Sequence, residues 1–590
     1  MIENMEDRIM YEEVIEKINT ADYEDAYKLI VDIKKKSSNY DGELAILEAE
    51  TCYQMEYRQE MFHAIGKGIQ IEPENYELFF LLGNYYMDVN LQQAYLCYEQ
   101  AEFYCENHED LDIILEQKNK LVQQGVNIPE LSIVILSYNA CREMKLCLES
   151  LKKTVPVSNQ IIVIDNASTN QDDGEGVVEY LQQQDNILLI CNKQNVGFPA
   201  GCNQGIKLAE PYNDILLLNN DTIVFPNSIF WLRMGLYENC KVGATGSMSS
   251  RIGNYQQIQE QFGSLEEYEQ YARKVNIPMD SPYESRIRLA GFAMMLKRQA
   301  LDMVGLLDER FSPGNYEDDD LSLRLLLNDY KLLVCKNSFI FHFSAKSFGK
   351  NLDNYYRILT ENEKVFRQKW KIDINYYSQI RMELQPFLRK NEQQINILEV
   401  GCGMGATLGY LRDTLAPCNV YGVELNSMAA SYAKHYIPNI IQGNIETMDL
   451  NCYEENMFDY ILLPDVLEHL HDPEAVLNKL KKYLKPSGFI VASIPNIMHY
   501  SVMLELLKGN FTYEDSGILD RTHIHFFTLQ EIFKMFMCCG FEIVETQGKH
   551  LDIVLSETDE EIYRQLMQIP GVASEINFQV YQYMVKARIK

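Results

Sequence analysis

The chain lacks the features that would send it out of the cell or into a bilayer. No basic start followed by an apolar stretch opens it, so no secretory signal is expected. No apolar run approaches the roughly 18 residues of a membrane-crossing helix, so no transmembrane segment is expected. The 14 cysteines include no C-x-x-C pair and no metal-ligand spacing. Cys97, Cys191 and Cys335 sit among apolar neighbours and read as reduced packing residues. Basic residues are scarce: 53 Lys and Arg against 85 Asp and Glu leave a net charge of -32. That balance excludes nucleic acid as a natural partner and disfavours broad contact with anionic lipid. The expected compartment is the cytoplasm, with peripheral contact at the inner face of the membrane left open through a local patch.

What is present is a long, ordinary globular composition. At 590 residues, 46% hydrophobic and 23% charged, the chain predicts three or four folded domains. Residues 1–127 hold 27 acidic and 10 basic side chains, a net of -17, so over half of the excess charge sits in about a fifth of the chain. This segment reads as amphipathic helix almost throughout. From Phe79, the residues Leu82, Gly83, Tyr86, Ala94, Tyr98 and Ala101 resemble a tetratricopeptide-repeat helix pair, with a weaker copy from about residue 42 that ends at Pro73. Gly83 and Ala101 would let two helices approach closely. A plain helical bundle is the alternative.

Past a break at Asn127–Pro129 the period changes. "LSIVILSYNA" (131–140) is a continuous apolar run ending in polar residues, as in a buried parallel strand. Similar runs at 161–165, 187–191 and 214–218 alternate with helical stretches, which implies an α/β domain. A second series starts at Ile397, with a helical connection over about 350–395. The expected architecture is multidomain: a helical repeat-like module over 1–127, then two Rossmann-like α/β domains over 128–375 and 376–590.

In open α/β sheets ligands sit at the carboxyl ends of strands. Those ends read Ser137-Tyr138-Asn139, Asp165-Asn166-Ala167-Ser168 and Asn219-Asn220-Asp221. A strand-end carboxylate beside a diphosphate can hold a hard divalent cation. With "NVGFPAGCNQGI" (195–206), "LLLNNDT" (216–222), "YEDDDLSLRL" (316–325) and His342 in this order, residues 130–375 resemble an inverting GT-A glycosyltransferase of family 2, near its rhamnosyltransferase-like members. The resemblance implies a donor-nucleotide site at Ser137, Tyr138, Asp165, Asn195, Gly197 and Asn220. It implies a Mn or Mg ion on Asp221, where the motif keeps one acid instead of two, with His342 as second ligand. It makes Asp318 the base that takes the acceptor hydroxyl's proton. Glu317, Asp319 and Asp320 crowd the same turn, and a solvated acidic helix start is the bland alternative.

"ILEVGCGMG" (397–405) runs a strand into Glu399, Gly401, Gly403 and Gly405. Glycines so spaced let backbone approach a nucleoside closely. A pyridine-dinucleotide site would want G-x-G-x-x-G, and here the third glycine comes one residue early. Glu424 ends the next strand, where it can accept from both ribose hydroxyls. "FDYILLPDVLEHLHDP" (458–473), "LKPSGFIVASIPN" (484–496) and "DRTHIHFFT" (520–528) follow. Together these resemble a class I S-adenosylmethionine-dependent methyltransferase, near its small-molecule O-methyltransferases. The resemblance implies cofactor contacts at Glu399, Gly401, Gly403, Gly405, Glu424, Asn444 and Asp465. His469, His523 and His525 are candidate bases, His469 foremost. With no Asp/His cluster at metal spacing, metal-independent transfer is expected, and 497–522 reads as a lid over the acceptor or as core packing.

The two resemblances imply a bifunctional enzyme. One half would move a sugar from a UDP- or dTDP-linked donor to a glycan, lipid-linked or glycoprotein acceptor, and the other would O-methylate the glycan. Two other readings stand beside it. One is a scaffold with one active catalytic domain, and the other a flagellin-like protein glycosyltransferase that docks its acceptor through the helical module.

Overall fold

The computed structural model describes residues 3–36, 40–156, 158–169, 176–343, 352–389, 393–551, 555–569 and 575–590. They form two compact units, Met1–Trp370 and Lys371–Lys590.

The first unit opens with helices α1 (Glu3–Asn19), α2 (Tyr23–Lys36), α3 (Gly42–Gln54), α4 (Arg58–Ile71), α5 (Tyr76–Tyr86), α6 (Leu91–Tyr104) and α7 (His108–Gln123). Asn75, Asn90 and Asn107 cap α5, α6 and α7, each side-chain oxygen accepting from a first-turn N–H. A Cβ on Gly83 would lie 2.5 Å from the Tyr98 ring, so the glycine is what lets α5 seat that ring.

Helices α3 to α7 share one hydrophobic core with the sheet that follows, while α1 and α2 pack against α3 in a cluster of their own. Phe79 of α5 meets Phe230 edge-on at 5.3 Å. Arg233 is 6% exposed and is held by Glu99 of α6 and by the Pro129 carbonyl at 2.9 Å. Gln93 donates to the Met234 carbonyl at 2.9 Å. The module is therefore a wall of the first α/β domain, joined to it by apolar packing and a buried ion pair.

The sheet of this unit comprises β1 (Leu131–Ser137), β2 (Gln160–Asp165), β3 (Leu188–Cys191), β4 (Asp214–Asn219), β5 (Thr222–Val224), β6 (Val242–Met248), β7 (Tyr283–Arg286), β8 (Ala293–Leu296) and β9 (Lys331–His342). Its order is β3-β2-β1-β4-β8-β6-β9-β5, with β7 also paired to β9. Strands β1 to β4 run parallel, and β8 lies antiparallel between β4 and β6. Strands β1, β2 and β4 are near-continuous Val, Ile and Leu and are buried, whereas β3 is an exposed edge strand.

The second unit holds β10 (Ile395–Val400), β11 (Cys418–Glu424), β12 (Ile440–Gln442), β13 (Phe458–Pro464), β14 (Leu484–Pro495), β15 (Phe541–His550) and β16 (Val580–Ile589). Their order is β12-β11-β10-β13-β14-β16-β15, and β16 is the reversed strand, antiparallel to both of its neighbours β14 and β15. The order reverses at β10, whose neighbours are β11 and β13; the crevice beyond its carboxyl end is where such sheets take ligands. Of the stretch read as a helical connection, Leu352–Trp370 and Ile374–Tyr377 are helical. Of the stretch read as a lid, Tyr500–Leu507 is a helix, followed by irregular backbone with Phe511 and Tyr513 exposed.

Candidate active sites

In the first unit the strand ends converge. Asp165 is buried and accepts from the Ser168 N–H at 3.0 Å and the Ser168 hydroxyl at 2.5 Å, while Ser168 Oγ accepts from the Asn139 N–H at 2.8 Å. This ties the ends of β1 and β2 together, with half-buried Tyr138 beside them. Asn166 donates to Asn195 at 2.8 Å, and Asn195 accepts from the Gly197 N–H at 2.9 Å. Gly197 has φ +86°, and a Cβ there would strike Ser312 Oγ, so the turn into helix Phe198–Leu208 needs glycine. Ser137 Oγ and Asn220 Nδ2 are buried with no partner among the described residues, which is costly unless a polar ligand satisfies them.

Asp221 faces His342, Oδ1 to Nε2 at 3.1 Å, and the other ring nitrogen lies 3.1 Å from the Arg251 carbonyl. Both nitrogens thus point at acceptors. Burial lowers the His342 pKa, but the hydrogen bond and charge of Asp221 prevail and raise it. Asp221 Oδ1 and His342 Nε2 face each other as one oxygen and one nitrogen donor, a set that a divalent cation accepts. The pair therefore fits a divalent ion.

The four acids at 317–320 separate by their partners. Asp320, fully buried, accepts from Arg324 and from the Trp370 indole at 2.9 Å each and pairs with Lys369. Asp319 pairs with Arg288 at 3.3 Å. Both are neutralised structural acids, so this turn is not a solvated helix start. Among the described residues Asp318 receives backbone N–H groups alone, Gly291 at 2.8 Å and Asp319 at 2.9 Å. Burial and then the Asp319 charge push its carboxyl up to about 7. Glu317, buried with Oε2 unpartnered, is raised in the same direction by burial and by Asp318. Gly291 precedes Phe292, whose carbonyl accepts from Asn219 at 2.8 Å and whose ring lies 5.3 Å from His342. This chain of contacts links Asp318 to the Asp221–His342 pair.

In the second unit Gly401, Gly403 and Gly405 all have positive φ. At Gly403 (φ +55°) a Cβ would lie 2.6 Å from the Tyr377 carbonyl, so the loop closes only with glycine. Glu424 accepts from the Gly403 and Asn426 N–H groups, both at 2.7 Å, which aims it across the glycine loop; burial raises its pKa. Glu399 is 2% exposed with Oε2 unpartnered, and burial pushes it up to about 8. A buried carboxyl with one unpartnered oxygen, beside a cradle that admits no side chain, fits a nucleoside cofactor carrying positive charge. Asn444 accepts from the Glu446 N–H at 2.8 Å in the turn after β12.

Asp465 is occupied: Arg381 donates to it at 2.6 Å and Ser493 at 2.7 Å, and Gln582 also bonds to it. His469 and His523 stand together, ring centroids 4.7 Å apart, whereas His525 turns to the His471 carbonyl at 3.4 Å. Burial and then His523 lower the His469 pKa. Sequence reasoning missed Arg381, which lies in a stretch with no strand signal, and Glu468, which it quoted inside a motif without a role.

Residues 132–302 match the family model Glycosyl transferase family 2, and residues 372–546 match a methyltransferase domain. Phosphoethanolamine N-methyltransferase 1 of Triticum aestivum is 32% identical over 100 residues, 16% of this chain and 20% of that protein. Ubiquinone biosynthesis O-methyltransferase of Rickettsia akari is 24% identical over 217 residues, 34% of this chain and 83% of that protein. Among solved structures, a mannosyltransferase of Pyrobaculum calidifontis in complex with GDP-Man and Mn2+ is 13% identical and covers 44% of this chain and 70% of that one, with a TM-score of 0.29. The chain spans a fifth of the length of the wheat relative. Residues 132–302 are thus similar to family 2 glycosyl transferases and residues 372–546 to methyltransferase domains, each on its own α/β sheet.

Proposed function

We propose that this chain, with a glycosyltransferase and a methyltransferase domain in tandem, adds a sugar from a UDP- or dTDP-linked donor to a glycan or glycoprotein with inversion and O-methylates the product glycan. The observation that carries the reading is Asp318, bonded among the described residues by backbone N–H groups and joined through Gly291 and Phe292 to Asp221 and His342.

In this reading Asp318 accepts the acceptor hydroxyl's proton as that oxygen attacks the anomeric carbon, and the nucleoside diphosphate leaves from the opposite face. One base suffices because the leaving group is already a good one. A divalent cation on Asp221 and His342 would supply neutralising charge for the departing diphosphate. Asp165, Asn195 and Gly197 position the nucleotide at the linked ends of β1 and β2.

In the second domain S-adenosylmethionine would supply the methyl group. Glu424 and the 401–405 loop hold its nucleoside, and Arg381 is fixed on Asp465 at the end of β13, the strand beside β10. Methyl transfer is a displacement at an activated carbon, so positioning the acceptor is most of what the protein contributes.

The test is mass spectrometry of glycan acceptors incubated with the protein, a nucleotide-sugar panel, Mn2+ and labelled S-adenosylmethionine. A product heavier by one sugar and one methyl is expected. Asp318→Asn should lose both additions if methylation follows glycosyl transfer. Loss of the sugar alone, or methylation of free nucleotide sugar, would overturn the sequential scheme.

A further inference from the structure

We propose that Glu468, His469 and His523 form a divalent-cation site in the methyltransferase unit, additional to the Asp221–His342 pair of the glycosyltransferase domain. The sequence predicts metal-independent methyl transfer because no ligand spacing is visible along the chain. The fold brings the 3-10 turn Leu467–His469, just past β13, against the segment 518–525. The Ile524 and His525 N–H groups donate to the Glu468 carbonyl at 2.8 and 3.1 Å, which locks the two segments in register.

Three observations converge on a ligand. One donor atom from each of the three side chains lies within 4.8 Å of the others. Ligands about 2.0–2.2 Å from a common ion stand roughly 3–4 Å apart, so a small rotamer adjustment closes the set. Second, Glu468 is 1% exposed and neither carboxylate oxygen has a hydrogen-bond partner among the described residues. A carboxylate is not left so without cost unless a cation meets it.

Third, both rings have the same nitrogen engaged. His523 Nδ1 lies 2.8 Å from the Ile518 carbonyl, and His469 Nδ1 lies 3.2 Å from the Thr522 carbonyl. His469 Nδ1 also lies 3.1 Å from the Thr522 hydroxyl, which gives its own hydrogen to Asp520 at 2.6 Å and so also accepts. A carbonyl only accepts, so each Nδ1 carries the hydrogen and each Nε2 presents a lone pair. Metal-binding histidines are oriented in this way by the group behind them.

The donor set selects the ion. Two imidazoles and one carboxylate suit first-row transition ions such as Zn2+, Co2+ or Mn2+ better than Ca2+ or Mg2+. Three protein ligands leave positions for small oxygen ligands. Val466, two residues before Glu468, is the side chain that a Cβ on Gly401 would meet at 3.0 Å. The site therefore adjoins the glycine loop, where an acceptor oxygen must come to meet the methyl group. Resting on the proposed methyltransferase reading, its ligand class is a pair of adjacent sugar hydroxyls, held by the cation with one oxygen toward the methyl carbon. A ligand role for His469 excludes the free-base role expected from the sequence.

The test is a Co2+ titration of the chelator-stripped full chain carrying Asp221→Asn, which disables the other pair. It is read by visible absorption and calorimetry, with S-adenosylhomocysteine thermal shift as the folding control. One tight equivalent is expected. His523→Gln in this background should weaken it at least about 100-fold, more than the loss of a supporting group costs, while the S-adenosylhomocysteine shift persists. Glu468→Gln, which keeps the shape of the buried side chain, should do the same and serves if His523→Gln unfolds. No tight equivalent in Asp221→Asn, or affinity unchanged in both ligand variants, would overturn the site. Tight Co2+ binding with no methylation of any sugar acceptor would leave the site standing and remove the sugar reading instead.

Discussion

Asp318→Asn separates chemistry from folding in the glycosyltransferase domain. The Asp318 carboxyl is held at about 7 against an ordinary 3.8 because burial and the Asp319 charge outweigh the Gly291 and Asp319 N–H groups and Arg288. Between those two values the folded chain keeps a proton that the unfolded chain has lost. Stability is therefore fully present below about pH 4, falls as pH rises toward 7, and is level above it. At about 1.36 kcal/mol per pH unit the ceiling is about 4 kcal/mol, and Glu317, which shares the buried charge, brings the realised figure below it. Asparagine is neutral throughout. The variant should match the wild type at pH 4 and exceed it in stability at pH 8.

Glycosyl transfer should move the other way. The wild-type rate should fall about tenfold per pH unit below 7, and the variant should lose roughly 10²–10⁴ of it at pH 8. Both tryptophans, Trp231 and Trp370, lie in the first unit, so urea unfolding followed by their fluorescence reports on that unit alone. An Asn variant that keeps more than a tenth of the rate, or that shifts the urea midpoint equally at pH 4 and pH 8, would refute the assignment.

Gly403→Ala should abolish the thermal shift with S-adenosylhomocysteine, because the new methyl meets the Tyr377 carbonyl at 2.6 Å and the positive φ adds about 1–2 kcal/mol. Asp221→Ala should remove the Mn2+ enhancement of nucleoside diphosphate affinity by at least about tenfold, read by calorimetry with and without the ion. Glu99→Ala strands Arg233 in the core and should cost about 3–5 kcal/mol in the tryptophan-monitored transition. Deleting residues 1–127 strips the apolar cover from Phe230 and its neighbours. It should lower glycosyl transfer to every acceptor, and loss confined to protein acceptors would instead favour a docking role.

The parts legible in the sequence were those written over short stretches of chain. Apolar runs ending in polar residues marked β1, β2, β4 and β10, because a strand buried on both faces has no polar position until it leaves the sheet. The glycines at 401–405 and the acids at 317–320 were visible for the same reason: a tight turn or a charged helix start is a local demand on residue type.

What only the tertiary structure decided depends on residues far apart in sequence. Four acids in a row look alike along the chain; Arg288 neutralises Asp319, Lys369 and Arg324 neutralise Asp320, and Asp318 is left to backbone donors. Asp465 reads as a cofactor contact until Arg381, 84 residues earlier, occupies it. The acidic helical module reads as a separate unit until Glu99 and Gln93 join it to Arg233 and Met234. His469 and His523, 54 positions apart, become neighbours only when the 518–525 segment folds back on the turn after β13. Periodicity and turn chemistry report the environment of a residue's own segment. Pairing of charges, sharing of a core and convergence of ligand atoms are set by chain closure over long loops, which leaves no local pattern to read.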